Sequence, residues 1–298
     1  MSNQYITSIY KAFVALMHPS SLHPCPLPGF MKPAGTFMSP RIVVLGLGLS
    51  LLLGGCASEP VAEQPGSGIN WVSEPRTLPV RAIVIHHTAS DTPSSLKILS
   101  GLEAKSRVSC HFLITDEPEV RTLPLVPESR IAYHAGESYW LGVSGLNATT
   151  LGIEIVNLDG NKHAYSEAQV AAVVQLIKEL LARHNLRSTD ILAHSDISPG
   201  RKIDPGSNFP WERLYRQHGL GDWPDDETVA ALLPSQPPSR RQLAALLRLK
   251  GYQVKDADAD TLRTVVSAFQ RRYRPSKVDG VADAETVARL RALLTPRR

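Results

Sequence analysis

The pattern of hydrophobic and polar positions becomes regular at about residue 69. From there, short β-branched runs alternate with segments of helical periodicity. The runs cover residues 82–85, 111–114, 152–156 and 191–193. Runs of this length predict strands, and their alternation with helical segments predicts an α/β fold with a mixed central β-sheet flanked by helices.

The strongest helical pattern lies at residues 166–183. Ser166 and Gln169 have the spacing of a capping box at a helix N-terminus. Apolar residues then recur at helical spacing, namely Val170, Val173, Val174, Ile177, Leu180 and Leu181. Asn185 follows at a position where helices commonly end. We therefore expect one long helix that packs an apolar face on the sheet.

A second, smaller domain is predicted at the C-terminus. Residues 221–238 contain four prolines and are interpreted as a linker. Residues 239–298 contain three short amphipathic segments, which predict a small three-helix bundle. Ser239 and Gln242 form the capping-box pattern of its first helix, and Gly251 is the predicted end of that helix.

The N-terminal stretch has the layout of an export signal. Residues 42–53 form an apolar run that is too short to span a bilayer of ~30 Å as a helix. Positive charges precede this run, and Gly54, Gly55 and Cys56 follow it. We interpret residues 1–55 as an upstream extension and a signal peptide.

The end of this run resembles the lipobox of bacterial lipoproteins. The resemblance implies that the signal is cleaved before Cys56, that the Cys56 thiol carries the lipid, and that residues 56–68 are an anchor and tether. Ala57 and Ser58 stand where inner-membrane lipoproteins carry Asp, so we expect the outer membrane, facing the periplasm. A plain secretory signal and a buried helix are the alternatives. Besides Cys56 the mature chain would keep only Cys110, so no internal disulfide is expected.

Composition and charge exclude few functions. The chain has 43% hydrophobic and 20% charged residues, which is typical of a globular protein. The net charge of +4 is spread along the chain, and there is no dense Lys/Arg run or zinc-finger pattern. We therefore expect no nucleic-acid partner, and we expect a monomer with one medium and one small domain.

Two kinds of potential metal ligand follow the predicted strands. His86 and His87 follow one run, His194 follows another, and Asp204 lies ten residues further on. Two histidines and one carboxylate form the ligand set of a catalytic zinc ion with one open position. Spacing alone leaves open whether His86 or His87 faces such a site. Each residue also has an ordinary interpretation, because strand-end histidines are commonly structural and Asp-Pro-Gly is commonly a turn.

Two further charged residues are expected near these positions. In an extended segment, Lys202 and Asp204 point to the same side because they are two residues apart. Glu154 points away from Ile153 and Ile155, the aliphatic side chains expected in the core. An ordinary solvent-facing strand residue is the alternative interpretation of Glu154.

Three sequence blocks carry a family resemblance. IVIHHTAS, GIEIVNLDG and AHSDISPGRKIDPG occur in this order. They resemble the signature blocks of the type-2 N-acetylmuramoyl-L-alanine amidases, in particular the AmiD-type outer-membrane lipoproteins, and the resemblance covers residues 69–220. It implies a catalytic acid/base role for Glu154 and a catalytic cation at Lys202. The implied ligands of Zn²⁺ are His86, His194 and Asp204.

The same resemblance implies a groove for substrate. The segments that contain His134 and Asn147 look like the family's groove segments, so both residues are candidate muropeptide contacts. His111 matches a position where the family tends to carry histidine. For His111, a substrate contact and a packed, hydrogen-bonded histidine are both open.

The C-terminal domain resembles the small three-helix peptidoglycan-binding module. Its marks here are Lys250-Gly-Tyr252, Phe269-Gln-Arg271 and Asp279-Gly-Val281, although the first Asp-Gly turn of that module is missing.

Together the two resemblances predict a zinc-dependent amidase of cell-wall turnover or recycling. It would hydrolyse the amide bond between N-acetylmuramic, or anhydro-N-acetylmuramic, acid and L-alanine. Its expected partners are peptidoglycan, muropeptides and, through the lipid anchor, the membrane. Non-catalytic peptidoglycan recognition is the alternative function.

Overall fold

The computed structural model of the chain describes residues 73–101, 108–116 and 118–296. The predicted signal peptide, the lipidation site Cys56 and the tether at 56–68 lie outside the described residues. Within the described ranges, we find no helix with the length and apolar character needed to cross a membrane.

The described strands build one central sheet and one small hairpin. They are β1 (Ala82–His87), β2 (Phe112–Ile114), β3 (Thr122–Pro124), β4 (Tyr139–Trp140), β5 (Val143–Ser144), β6 (Thr150–Ile155) and β7 (Ile191–Ala193). The sheet has the order β3-β2-β6-β1-β7, and β4 pairs with β5. β2, β6, β1 and β7 are parallel, whereas β3 is antiparallel to β2. The predicted mixed central sheet is confirmed.

The described helices lie around the sheet and at the C-terminus. They are α1 (Thr92–Leu99), α2 (Glu167–Arg183), α3 (His194–Ile197), α4 (Trp211–His218), α5 (Asp226–Ala231), α6 (Arg240–Lys250), α7 (Ala259–Tyr273) and α8 (Ala284–Leu294). A 3-10 helix at Leu146–Thr149 leads into β6. The long predicted helix is α2, with Ser166 and Gln169 in a reciprocal capping box. Asn185 follows it with a φ of 51°, in the left-handed region.

The two faces of the sheet have different roles. On one face, Ile83 and Ile153 pack with apolar residues of α2 in the main hydrophobic core. On the other face, Val84 belongs to a smaller apolar cluster. His86 and Glu154 are register partners on β1 and β6. Because side chains alternate along a strand, both point to this second face.

The predicted three-helix bundle consists of α6, α7 and α8. Ser239 and Gln242 form the capping box of α6, and Gly251 is its C-cap, as predicted. The segment at 221–238, predicted as a linker, is partly folded, because it contains α5 and the buried side chain of Trp223. One hydrophobic cluster contains residues of the sheet and of all three C-terminal helices, so the bundle shares a core with the first domain.

Candidate metal centre

Three side chains from distant parts of the chain meet at the edge of the sheet. The Nδ1 atoms of His86 and His194 lie 2.8 Å apart. The Oδ2 atom of Asp204 lies 3.1 Å from His86 Nδ1 and 2.9 Å from His194 Nδ1. All three side chains are buried. Among the described residues, this triangle is the one group of histidine, cysteine or carboxylate ligands that could hold a metal ion.

The strand order explains how these residues meet. His86 lies near the end of β1, and His194 follows directly on β7, the parallel neighbour of β1. Asp204 is tied to the same region because its backbone carbonyl accepts a hydrogen bond from the Ser195 backbone N–H at 2.9 Å. The structure thus brings His86 into the triangle, and His87 is not part of it.

A chain of hydrogen bonds fixes the tautomer of His86. Thr150 Oγ1 donates to Leu146 O at 2.7 Å, so it accepts the bond from His134 Nε2 at 3.2 Å. Burial, followed by the neighbouring His86, holds the pKa of His134 well below its ordinary value, so this ring is neutral and its Nδ1 is an acceptor. His86 Nε2 therefore donates to His134 Nδ1 at 3.0 Å, and the lone pair of His86 Nδ1 faces the triangle.

The second imidazole is oriented by a backbone carbonyl. His194 Nε2 lies 3.2 Å from Ala135 O and 3.3 Å from an amino group of Arg201, while its Nδ1 faces the triangle. Arg201 also donates to Ala135 O at 2.6 Å and to Glu137 O at 2.8 Å. A further bond joins Arg201 to Ser198 Oγ at 2.7 Å. Arg201 therefore ties the 135–137 loop to the segment that follows His194.

The donor set fits a zinc ion. Two imidazole nitrogens and one carboxylate oxygen, all of them atoms that bind metal ions, lie within 3.1 Å of one another. Burial, and then the neighbouring His194, lower the pKa of His86 to about 4, so His86 is in the neutral form that binds metal. A tetrahedral zinc ion with bonds of about 2.0 Å holds its ligands about 3.3 Å apart. The observed separations of 2.8, 2.9 and 3.1 Å are close to that value.

Glu154 lies next to the triangle on the neighbouring strand. Its side chain is buried, and its Oε2 atom has no hydrogen-bond partner among the described residues. Burial, followed by the negative charge of Asp204, raises the pKa of Glu154 to about 8, and Lys202 partly opposes this rise. A buried carboxyl whose pKa lies near neutrality is suited to accept a proton and return it.

Lys202 supplies the positive charge of the site. It is half-buried, and its backbone N–H donates to Ser198 O at 3.0 Å. Its ammonium lowers the pKa of Glu154 against the larger effect of burial, and it adds to the effects of burial and His194 that lower the pKa of His86. A cation in this position is suited to stabilise a developing oxyanion.

His111 lies beneath the site and outside the triangle. Its side chain is 0% exposed. Its Nδ1 accepts a hydrogen bond from the Gly152 backbone N–H at 3.0 Å, and its Nε2 lies 2.9 Å from an amino group of Arg76. Burial, and then the charge of Arg76, lower the pKa of His111 to about 3. The structure therefore favours the packed, hydrogen-bonded histidine over the substrate contact.

The two predicted muropeptide contacts also have partners inside the protein. His134 is buried, and its ring packs on Gly152, where an added Cβ would lie 2.6 Å from His134 Cγ. Asn147 Oδ1 accepts a hydrogen bond from the Ala135 backbone N–H at 2.7 Å. Both residues hold the site together, and their contact with a muropeptide stays a prediction.

Sequence patterns do not single out three residues that shape the site, Thr150, Arg201 and Gly160. Thr150 and Arg201 act on partners 16 and 66 residues away, so no local spacing identifies them. At Gly160, an added Cβ would lie 1.9 Å from the Pro205 carbonyl oxygen. The loop after β6 and the loop after Asp204 can therefore meet only at a glycine. In the sequence, the glycines that end the blocks GIEIVNLDG and AHSDISPGRKIDPG are the only indication of this contact.

Comparison with known proteins assigns both parts of the chain. A family profile described as N-acetylmuramoyl-L-alanine amidase matches residues 76–207, and one described as a putative peptidoglycan binding domain matches residues 236–290. The chain is 38% identical over 268 residues to the N-acetylmuramoyl-L-alanine amidase AmiD of Escherichia coli (strain K12), which covers 82% of this chain and 94% of AmiD. It is 32% identical over 127 residues to the 1,6-anhydro-N-acetylmuramyl-L-alanine amidase AmpD of Citrobacter freundii, covering 43% of this chain and 65% of AmpD.

Solved structures agree with the sequence comparison. One is the complex of E. coli AmiD with anhydro-N-acetylmuramic acid-L-Ala-D-gamma-Glu-L-Lys, with a TM-score of 0.66, 38% identity and coverage of 74% of this chain and 90% of AmiD. Another is AmpDh3 from Pseudomonas aeruginosa in complex with anhydromuramic pentapeptide, with a TM-score of 0.67, 34% identity and coverage of 78% and 97%. The resemblance predicted from the three sequence blocks is confirmed. By the extent of these matches, the chain belongs to the N-acetylmuramoyl-L-alanine amidase family.

Proposed function

We propose that this protein is a zinc-dependent N-acetylmuramoyl-L-alanine amidase whose metal ligands are His86, His194 and Asp204. The observation that supports the zinc ion is the meeting of two imidazole Nδ1 atoms and one carboxylate oxygen within 3.1 Å of one another. The hydrogen bond from His86 Nε2 to His134 Nδ1 directs the lone pair of His86 Nδ1 inward, and His194 Nδ1 faces the same carboxylate oxygen. Water-activating zinc sites commonly combine three such ligands with one open position.

The reaction is hydrolysis of the amide bond between N-acetylmuramic acid and L-alanine. A bound zinc ion would supply a Lewis acid that lowers the pKa of water to about 7 and polarises the scissile carbonyl. Glu154 accepts the proton of the attacking water and returns it to the leaving amine, because a buried carboxyl whose pKa is raised to about 8 can both take up and release a proton near neutral pH. Lys202 stabilises the oxyanion that develops on the carbonyl oxygen.

The substrate class proposed here includes anhydro-muropeptides. Two similar solved structures hold anhydromuramyl peptides, which supports the same chemistry for this chain. The products would be a lactyl-bearing amino sugar and a free peptide that begins with L-alanine. Mass spectrometry of the products from intact sacculi and from purified anhydro-muropeptides would show which of the two substrates is cut. Cleavage at any bond other than the amide would contradict the proposed reaction.

The zinc assignment is tested by replacing one ligand. His194→Ala should remove the metal and the activity together, because two ligands do not hold a zinc ion tightly. His163→Ala is the matched control, since His163 is an exposed histidine. Metal content by elemental analysis and muropeptide cleavage are measured on both variants. A His194→Ala protein with full zinc content and full turnover would overturn the assignment.

We also propose that the protein is anchored in the outer membrane by a lipid on Cys56 and faces the periplasm. The support is the apolar run that ends in Leu-Gly-Gly-Cys, followed by Ala57 and Ser58. Cys56→Ser should leave either a soluble periplasmic protein or an unprocessed precursor. Membrane fractionation and mass spectrometry of the mature N-terminus test this, and a wild-type protein without lipid would contradict it.

A further inference from the structure

The C-terminal helices pack directly on the segment that carries His194. Helix α7 contacts the single helical turn α3, which begins at His194, and also contacts α4. An added Cβ on Gly200, just after α3, would lie 2.6 Å from Thr264 Cγ2 on α7. The C-terminal module is therefore in contact with the loop between two of the proposed zinc ligands, His194 and Asp204.

A buried carboxylate connects the module to this turn. Asp196, two residues after His194, is 0% exposed. Its Oδ2 accepts a hydrogen bond from the Ala193 backbone N–H at 3.0 Å, so it caps the turn that begins at His194. The same oxygen accepts from an Arg272 amino group at 2.7 Å, and Oδ1 accepts from the Tyr252 hydroxyl at 2.7 Å. Arg272 and Tyr252 both belong to the C-terminal module.

Arg272 is itself held from several sides. Its side chain is 1% exposed, and its second amino group donates to Asp222 at 2.9 Å. Its guanidinium lies 4.2 Å from the centre of the Trp211 ring. Lys250 also binds Asp222, at 2.9 Å. Two cations thus face two carboxylates in the interior, so the geometry of this group is fixed by pairing and by stacking.

The geometry points to a positioning role for the module, and this inference rests on the proposed zinc function. We infer that Arg272 and Tyr252 are positioning residues that hold Asp196, and through it the turn that presents His194 Nδ1 to the metal. A helical turn of four residues does not form stably by itself, because one turn fixes several backbone dihedrals for few hydrogen bonds. The hydrogen bonds from Arg272 and Tyr252 to Asp196, the carboxylate that caps this turn, supply the missing constraint. The module is therefore a structural part of the amidase centre.

The test compares two buried arginines at the C-terminal end of α7. Arg272→Met removes the hydrogen bond and the charge that Arg272 supplies to Asp196. Arg274→Met is the matched control, because the Arg274 side chain is 8% exposed and pairs with Asp283 and Glu285 inside the module. Zinc affinity is measured by competition with a chelator, well below the melting temperature of each full-length variant. We expect Arg272→Met to bind zinc at least ~10-fold more weakly, as outer-shell substitutions do, and Arg274→Met to bind it like the wild type.

A spectroscopic measurement separates positioning from general stability. The visible spectrum of the cobalt-substituted protein reports the geometry of the ligands, and it should change in Arg272→Met and remain unchanged in Arg274→Met. A loss of melting temperature alone, with unchanged zinc affinity and spectrum in Arg272→Met, would overturn the inference. Equal losses of affinity in both arginine variants would overturn it as well.

A milder variant decides the question if Arg272→Met does not fold. Tyr252→Phe removes only the hydroxyl bond to Asp196 and keeps the ring contact with Trp140, whose centroid is 5.0 Å away. We expect its zinc affinity to fall about 2- to 10-fold, the equivalent of one hydrogen bond. An unchanged affinity in Tyr252→Phe would contradict the inference. A wild-type protein that binds no zinc would overturn the proposed function itself, so the two failures are distinguishable.

Discussion

Two buried polar clusters lie on either side of the helical turn α3, and they differ in how their polar atoms are satisfied. In the metal centre, the ligand atoms of His86, His194 and Asp204 face one another, and Glu154 Oε2 has no partner among the described residues. At the junction with the C-terminal module, every carboxylate oxygen of Asp196 and Asp222 accepts a hydrogen bond. The carboxylates of the junction pair with its own cations, Arg272 and Lys250.

This difference indicates that the two clusters have different roles, one chemical and one structural. A buried polar atom without a partner costs free energy, and at a carboxyl beside candidate metal ligands it indicates a functional role. At the junction every carboxylate oxygen is hydrogen-bonded, although the buried Nε of Arg272 has no hydrogen-bond partner among the described residues. Removal of one side of such a buried ion pair leaves an unpaired charge. The unpartnered carboxyl therefore indicates chemistry at the candidate metal centre, and the ion pairs of the junction fit the positioning role inferred for the C-terminal module.

The largest effect is expected at the unpartnered carboxyl of the metal centre. Glu154→Ala should keep zinc near one equivalent, because Glu154 is not one of the proposed ligands. Hydrolysis should fall at least ~100-fold, the lower end of general acid–base contributions. Zinc content, thermal melting and single-turnover cleavage are measured, with the exposed Glu137→Ala as control. Near wild-type cleavage by Glu154→Ala would move the proton-transfer role to another group.

A similar loss is expected at the cation of the same cluster. Lys202→Ala should lower the turnover number by ~100-fold, because a lost oxyanion partner destabilises the transition state more than bound substrate. Substrate affinity should change little, so the loss appears in the turnover number. Lys162, which is exposed and pairs with Asp159, provides the control variant Lys162→Ala. If Lys202→Ala weakened binding and left turnover intact, Lys202 would be a substrate contact.

At the junction, the expected loss is in stability. Asp222→Ala leaves Arg272 and Lys250 without a shared partner, which should cost about 3–5 kcal/mol of unfolding free energy. Zinc affinity should change less than in Arg272→Met, because Arg272 keeps its bond to Asp196. Denaturant unfolding and zinc competition measure the two effects.

The control for this prediction is Asp226→Ala. Asp226 pairs with Arg216 at the surface, where the two side chains are 67% and 43% exposed, so its loss should cost at most about 1 kcal/mol. Equal losses of stability in the two variants would remove the distinction between the buried junction and an ordinary surface pair.

The sequence predicts the two clusters unequally. The candidate ligands His86, His194 and Asp204 are visible because strand ends and family blocks place them together, and capping boxes mark α2 and α6. The bond between Asp196 and Arg272 joins residues 76 positions apart, and no periodicity or motif connects them. Local rules identify elements and their ends, whereas the docking of the module depends on side chains that meet only in the folded chain.

The orientation of the histidines is a second aspect that sequence patterns do not reach. His134 is predicted to contact a muropeptide from the segment around it, yet its ring lies between His86 and Thr150. Its position depends on Gly152 of the neighbouring strand, where any Cβ would overlap the ring. Which neighbours a loop side chain contacts depends on how the folded chain packs. The residue type alone therefore does not predict whether His134 contacts a muropeptide or other side chains of the protein.

The smallest effect concerns the stability that the metal centre gives up, and it has a distinctive pH dependence. In the folded protein the pKa of Glu154 is raised from 4.5 to about 8. Between these values the folded state holds a proton that the unfolded state has released, so stability falls as pH rises through this range. Glu154→Gln stays neutral and removes this penalty. The metal-free variant should therefore be more stable than metal-free wild type, with a difference that is small near about pH 5 and largest above about pH 8.

At 1.36 kcal/mol per pKa unit, the upper bound of this gain is about 5 kcal/mol. We expect on the order of 2 kcal/mol, because local opening of the folded protein lets the carboxylate reach solvent before the whole protein unfolds. Thermal melting in the presence of a chelator across the pH range measures the difference, with Glu137→Gln as the exposed control. A gain that is the same at all pH values would mean that Glu154 is not held neutral by burial. The contrast between the unpartnered carboxyl beside the candidate metal centre and the hydrogen-bonded carboxylates of the junction would then fail at its central residue.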